Sequence, residues 1–198
     1  MKTLYKSEQS GRSMVEMLGV LAIIGVLSVG GIAGYSKAMS KFKLSKVMDQ
    51  VSMTVANVRT LYSGQPNYSG LTTQVAIQMG AIGAEMLNGK KTTSATEAFN
   101  AFNGKVFVEA STDGRSFWVT FTGLGKEACV ALGSSDWGSG SGSGLIGVGV
   151  DASGNAAVTK LPTNSGTTAD ASLPLSLAIA AKGCNGSGDT NVVVWNYN

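Results

Sequence analysis

From Met17 to Tyr35 the chain carries no charged residue, and the position just ahead of this stretch is a carboxylate, Glu16. A membrane-crossing helix needs roughly 17–25 mostly apolar residues. A carboxylate in the apolar end of such a helix costs about 2.5–3.5 kcal/mol on insertion scales, so Glu16 needs a partner unless it stays at the lipid interface. The segment is therefore either an ordinary signal anchor with a flanking acid, or a helix whose acid has a partner. The sequence ahead of it bears on the choice. The first ten residues are largely polar and carry Lys2 and Lys6, and Gly11 stands five positions before Glu16. No small-residue signal-peptidase site follows the apolar run, so removal of the whole segment is not expected.

This arrangement, Gly11 followed by Glu16 and the uncharged run from Met17 to Tyr35, resembles the type IV prepilin signature. The resemblance implies that a dedicated membrane peptidase cuts between Gly11 and Arg12, leaving Glu16 as the fifth residue of the mature chain. It also implies N-methylation of the new first residue. The family usually places Phe, Met, Leu or another apolar residue there, and this chain has Arg12. In a bundle of such helices the Glu16 carboxylate would neutralise the freed α-amine of Arg12 on a neighbouring subunit, since both groups are expensive to leave unpaired in a low dielectric.

Composition narrows the rest. Its 198 residues suit one domain plus an appendage. Fifteen basic residues against twelve acidic ones are too few to imply nucleic-acid binding. Histidine is absent, which removes the commonest general base and metal ligand. No cofactor and no metal are expected, and the chain does not read as an enzyme. Cys129 and Cys184 both lie well beyond the apolar run and fit a disulfide formed outside the cytoplasm. Charges flank the run on both sides, with Lys2, Lys6 and Arg12 before it and Lys37, Lys41, Lys43 and Lys46 after it. Long C-terminal domains translocate largely regardless of such charges, so the cysteines place the leader in the cytoplasm and the head outside.

No proline occurs between Arg12 and Gln65, and Val47, Val51, Val55 and Val58 recur at helical spacing. The helix is thus predicted to continue past the membrane to Ser63, about 75 Å in all at 1.5 Å per residue. Gly25, Gly30, Gly31 and Gly34 weaken it by roughly 1 kcal/mol each relative to Ala, marking a stretch for close helix packing or for bending. Leu71 to Met86 reads as short helical or irregular structure. Lys105–Ala110 and Arg115–Thr122 form a hairpin across Ser111-Thr112-Asp113-Gly114, with Phe117, Val119 and Phe121 on one face and Trp118 on the other. Gly125–Leu132 is a helix carrying Cys129. Leu145–Val150 and Ala156–Leu161 are expected to make a second hairpin. Leu175–Lys182 is a helix, and Asn191–Tyr197 a last strand.

A strand entering Gly123-Leu124-Gly125-Lys126-Glu127-Ala128-Cys129, with a second cysteine near the end of the chain, is similar to the type IVb pilins. The resemblance implies an α+β pilin fold: a long N-terminal helical spine, a head with an antiparallel sheet, and a C-terminal region bounded by the disulfide. Its parts would be a leader (1–11), a transmembrane and filament-core half-helix (12–35), an amphipathic half-helix (36–64) and a head (65–198) with the bounded region 129–184. It further implies a homo-oligomeric helical filament, the prepilin peptidase and an inner-membrane assembly machinery as partners. The membrane would hold the subunit before assembly, and the cell-surface pilus after it, serving adhesion, aggregation or cell–cell contact. A minor pilin or a type II secretion pseudopilin fits the same features, and a single-pass anchored binding protein or enzyme is the reading from another class.

The remaining candidates carry less. The lysine cluster at 37–46 fits a solvated or Asp49-paired helix face, with too few aromatics for a single-strand nucleic-acid binder. Gly138–Gly144 lacks the Lys-Ser/Thr of a phosphate loop and reads as a pliable surface loop. Glu109, Asp113, Asp136 and Asp151 show no calcium-ligand spacing. Trp137 fits either the core or an exposed contact.

Overall fold

The computed structural model describes residues 14–92, 94–138, 140, 142–152, 154 and 156–198. Gly11 and Arg12, the expected cleavage pair, and the leader 1–11 lie outside the described residues. The chain divides into two compact units, 1–41 and 42–198. Helix α1 (Met14–Tyr62) supplies the described part of the first and opens the second.

In the first unit every residue from Met14 to Ala38 is exposed. The helix is unbroken across Gly25, Gly30, Gly31 and Gly34, so the stretch marked as weak keeps its helical bonds. Ser28, inside the apolar part, and Ser40, just beyond it, satisfy themselves locally: Ser28 Oγ donates to the Ile24 carbonyl at 2.7 Å and Ser40 Oγ to that of Ser36 at 3.1 Å. A hydroxyl bonded back to the preceding turn adds little polar cost in an apolar setting.

The head begins where α1 becomes one-sided. Val47, Gln50, Val51, Thr54, Val55 and Val58 are buried, a stripe at three- and four-residue intervals. Past Tyr62 the chain turns through Gln65 N to Tyr62 O at 2.9 Å. Helix α2 (Thr73–Gln78) follows, its first turn capped by the Thr72 hydroxyl, then a 3-10 turn at Ala84–Met86.

Six strands form one antiparallel sheet: β1 (Ala98–Phe99), β2 (Lys105–Ala110), β3 (Phe117–Leu124), β4 (Leu145–Asp151), β5 (Asn164–Thr167) and β6 (Asn191–Tyr197). Their order is β1-β2-β3-β6-β4-β5, so the last strand of the chain lies in the middle of the sheet. All seven residues of β6 are buried. Phe117, Val119 and Phe121 align with Tyr197, Trp195 and Val193, and these join the valines of α1 in one core. Edge-to-face contacts between Phe121 and Trp195, and between Trp195 and Trp137, fill its centre. Helices α3 (Lys126–Ser134) and α4 (Leu177–Gly183) pack together beside β4 and β6.

The free edge of β2 is occupied. Leu71 accepts from Ala110 N at 3.0 Å and the Thr73 hydroxyl from Val108 N at 3.0 Å, which removes the unpaired groups on which another chain would template.

One expected strand is placed differently. Ala156–Leu161 does not pair with β4; that partner is β5. Residues 156–162 instead cross the other face of the sheet. Thr120 Oγ1 accepts from Val158 N at 3.2 Å and donates to its carbonyl at 3.4 Å, and Leu161 and Pro162 lie against Gly147 and Gly149. The glycines leave room for this strap: a Cβ on Gly149 would come within 2.4 Å of Pro162.

Candidate functional site

Two features are the candidates for function: the apolar surface of the first unit and the disulfide-closed head of the second.

Glu16 stands in the first turn of α1, where the partial positive charge of the helix N-terminus favours a carboxylate. Among the described residues its carboxylate makes no hydrogen bond or ion pair. Behind it Leu21, Ile24, Val26, Leu27, Val29 and Ile32 are each more than half exposed. A soluble protein rarely leaves so continuous an apolar surface in water. Its length and composition suffice to cross a membrane. At Gly25, Gly30, Gly31 and Gly34 no atom lies within 4 Å of where a Cβ would stand, so a neighbouring helix or lipid chain has room to approach the backbone.

In the head, Cys129 on α3 and Cys184 at the end of α4 form a disulfide with Cα atoms 5.9 Å apart and both residues fully buried. The bond closes 55 residues of sequence, which in the chain-entropy model stabilises the head by about 4 kcal/mol. Central strand β6 lies beyond Cys184, outside this covalent loop, and is held by non-covalent contacts alone. Asn191, at its start, donates from Nδ2 to the Leu124 carbonyl at 3.0 Å and accepts from Gly186 N at 2.8 Å.

Several buried or half-buried polar side chains join segments, and sequence reasoning passed over them. Gln50 of α1 accepts from Ala101 N at 3.1 Å. Asn100 donates to the Thr122 carbonyl at 2.8 Å while its Oδ1 accepts from Phe102 N and Gly104 N. Arg59 Nη1 donates to the Ser143 carbonyl at 2.6 Å, and Asn198 N to the Gly144 carbonyl, so the described end of the Gly/Ser loop is bound to α1 and to the C-terminus. The available signal was a polar residue on an otherwise apolar helix stripe, as at Gln50. Burial pushes the Tyr197 phenol up to about 12, against the opposing charge of Arg59.

The remaining candidates have local roles. Trp137 packs against the core and donates from Nε1 to the Leu132 carbonyl at 2.7 Å, so it is a core residue. Glu109 accepts from Thr73 Oγ1 at 3.1 Å. Asp113 accepts from Ser111 Oγ and Arg115 N inside the β2–β3 turn, and these bonds hold its carboxyl below the usual range. Asp136 accepts from Gly138 N and Asp151 from Ala152 N. No group of three or more potential metal ligands occurs among the described residues. Lys43 does not pair with Asp49; its ammonium lies 5.9 Å from the centre of the Phe102 ring.

An exposed apolar helix headed by one carboxylate, with a head built on a six-stranded antiparallel sheet and closed by a C-terminal disulfide, defines a type IV pilin. The family model described as PilS N terminal matches residues 42–198, and the chain belongs to that family. Two relatives described as the major structural subunit of bundle-forming pilus are similar over nearly the whole chain. The one from Escherichia coli O127:H6 is 29% identical over 98% of this chain and 97% of its own length, and the one from Escherichia coli O111:H- is 28% identical over the same shares. The toxin coregulated pilin of Vibrio cholerae serotype O1 is 28% identical over 64% of this chain and 58% of its own length. Among solved structures, TcpA, a type IV pilin from Vibrio cholerae El Tor biotype, superposes with a TM-score of 0.50 at 14% identity, covering 79% of this chain and 99% of that one. These likenesses make the chain a type IVb pilin, a structural protein and not an enzyme.

Proposed function

We propose that this protein is the structural subunit of a type IV pilus, made as an inner-membrane precursor with its head outside the cytoplasm and processed between Gly11 and Arg12. The observation that carries this reading is the exposed apolar surface of α1 from Met17 to Tyr35 with a lone carboxylate at its head. Lipid covers that surface before assembly. Neighbouring helices cover it afterwards, and hydrophobic burial supplies the cohesion of the filament. Glu16 sets the register, because a subunit seated at the wrong height leaves the carboxylate and the α-amine of a neighbour's Arg12 unpaired in a low dielectric. Residues 12–35 form the membrane and filament-core part, 36–64 the amphipathic part, and 65–198 the head that the filament displays. The prepilin peptidase and the membrane assembly machinery are its partners in maturation, and adhesion or aggregation between cells is the task such a surface filament serves. The bundle-forming pilus relatives, alike over 98% of the chain, support the major-subunit role.

Electron microscopy of cells carrying this gene, labelled with antibody raised against the head, tests the reading. Label along surface filaments is expected, with filaments missing when the gene is deleted. Label confined to the cell envelope would overturn it.

A further inference from the structure

The chain contains three Asn-Gly dipeptides, at Asn88-Gly89, Asn103-Gly104 and Asn185-Gly186. In such a pair the backbone nitrogen of the glycine can attack the asparagine side-chain carbonyl, since no side chain on the following residue hinders the approach. All three asparagines are exposed. What differs is the glycine nitrogen. Gly104 is buried and its N–H donates to Asn100 Oδ1 at 3.2 Å. The Gly186 N–H donates to Asn191 Oδ1 at 2.8 Å, and Asn191 is itself fully buried. The Gly89 N–H has no hydrogen-bond partner among the described residues, and Gly89 is exposed. Asn88 and Gly89 form a tight turn with φ of 49° and 74°, and nothing lies within 4 Å of a Cβ placed on Gly89. A nitrogen that must lose its proton to attack reacts more slowly when that proton is held in a hydrogen bond on buried structure.

We propose that Asn88 is a selective site of spontaneous deamidation in this pilin. The Gly89 nitrogen forms a bond to Asn88 Cγ, the Cγ–Nδ2 bond breaks, and ammonia leaves with the nitrogen's proton, giving a five-membered succinimide. Water then opens the ring at either carbonyl. One route returns an aspartate, and the other an isoaspartate whose main chain runs through the former side chain. The net exchange is one amide and one water for one carboxylate and one ammonium, so the surface gains a negative charge beside Lys90 and Lys91. Asn103 and Asn185 are protected by the bonds that Asn100 and Asn191 make to the attacking nitrogens.

The test is a time course on the full processed chain in detergent at mildly alkaline pH, read by peptide mass spectrometry. Conversion makes the peptide about 1 Da heavier. Asn88 is expected to convert at least about tenfold faster than Asn103 or Asn185 in the folded protein, because the latter require local opening of hydrogen-bonded structure. In urea, where the three dipeptides are equally free, the rates should converge. Gly89→Ala should slow conversion at residue 88 and leave the other two unchanged. Equal rates at all three sites in the folded protein, or a leading rate at Asn103 or Asn185, would overturn the proposal, as would a stable Asn88 in folded protein whose Asn88 converts in urea.

Discussion

Gly104 and Gly123 approach so closely that a Cβ on Gly123 would stand 2.5 Å from the Cα of Gly104, and one on Gly104 would stand 1.7 Å from the Thr122 carbonyl oxygen. Gly123 also has φ of +69°, in the bulge where β3 shifts register against β6. Asn100 fixes the same place, bonding Thr122 from one end of its amide and Gly104 from the other. The approach thus sets the path of β3 into α3 and Cys129.

Gly123→Ala is therefore expected to destabilise the head by about 3 kcal/mol, from overpacking and left-handed strain together. At roughly 2–4 °C per kcal/mol for a domain of this size, thermal unfolding should fall by about 6–12 °C. A change of a degree or less would show that the backbone relaxes there freely.

Joint replacement of Cys129 and Cys184 by serine should lower head stability by about 4 kcal/mol, as read from the urea midpoint, since the bond closes 55 residues. Because β6 lies outside the closed loop, the midpoint should move without the appearance of a separate early transition for that strand. Adding reductant to the native protein should change little until the buried bond is exposed by unfolding.

The raised Tyr197 phenol gives a pH dependence with a definite sign. Its folded value of about 12 lies above the ordinary value of 10.0, because burial disfavours the phenolate. The unfolded chain releases this proton first as pH rises, so the contribution is fully present below pH 10 and is lost between 10 and 12. The loss is on the order of 3 kcal/mol. Tyr197→Phe should flatten that part of the stability profile, measured by denaturant titration across the alkaline range.

Glu16→Val should leave the melting of the head unchanged, because the Glu16 carboxylate makes no hydrogen bond or ion pair among the described residues and Glu16 belongs to the first unit. Filament in the sheared fraction should fall roughly tenfold or more, equivalent to about 1.4 kcal/mol of lost assembly preference. Glu16→Gln, which keeps the size but not the charge, should behave the same way if charge pairing sets the register. Normal assembly of Glu16→Gln would assign the role to shape.

Much of the fold was legible where burial imposes a period. Val47, Val51, Val55 and Val58 gave the head part of α1, and the bounds expected for β2 and β6 match those observed, because their alternating or continuous apolar residues are buried. β5 was not legible. Asn164-Ser-Gly-Thr has no apolar side chain to pattern, and it is a strand because β4 offers it an edge and Gly166 lets Ser172 approach its backbone. The apolar residues of 156–162 read as that missing strand, yet they cover a sheet face instead. In the candidate site, Glu16 was legible as a lone charge and the cysteines as a pair. The polar groups that join segments, Gln50, Arg59, Asn100 and Asn191, were not, since each is defined by a partner distant in sequence.

The central claim, that the chain is a processed subunit of a surface filament, is tested most directly by N-terminal sequencing and intact mass of the protein in material sheared from cells. The account predicts an abundant chain beginning at Arg12, lacking residues 1–11 and lighter by the two hydrogens of the Cys129–Cys184 bond. A chain beginning at Met1 in cells with active prepilin peptidase, or a processed chain found only in membranes, would contradict it.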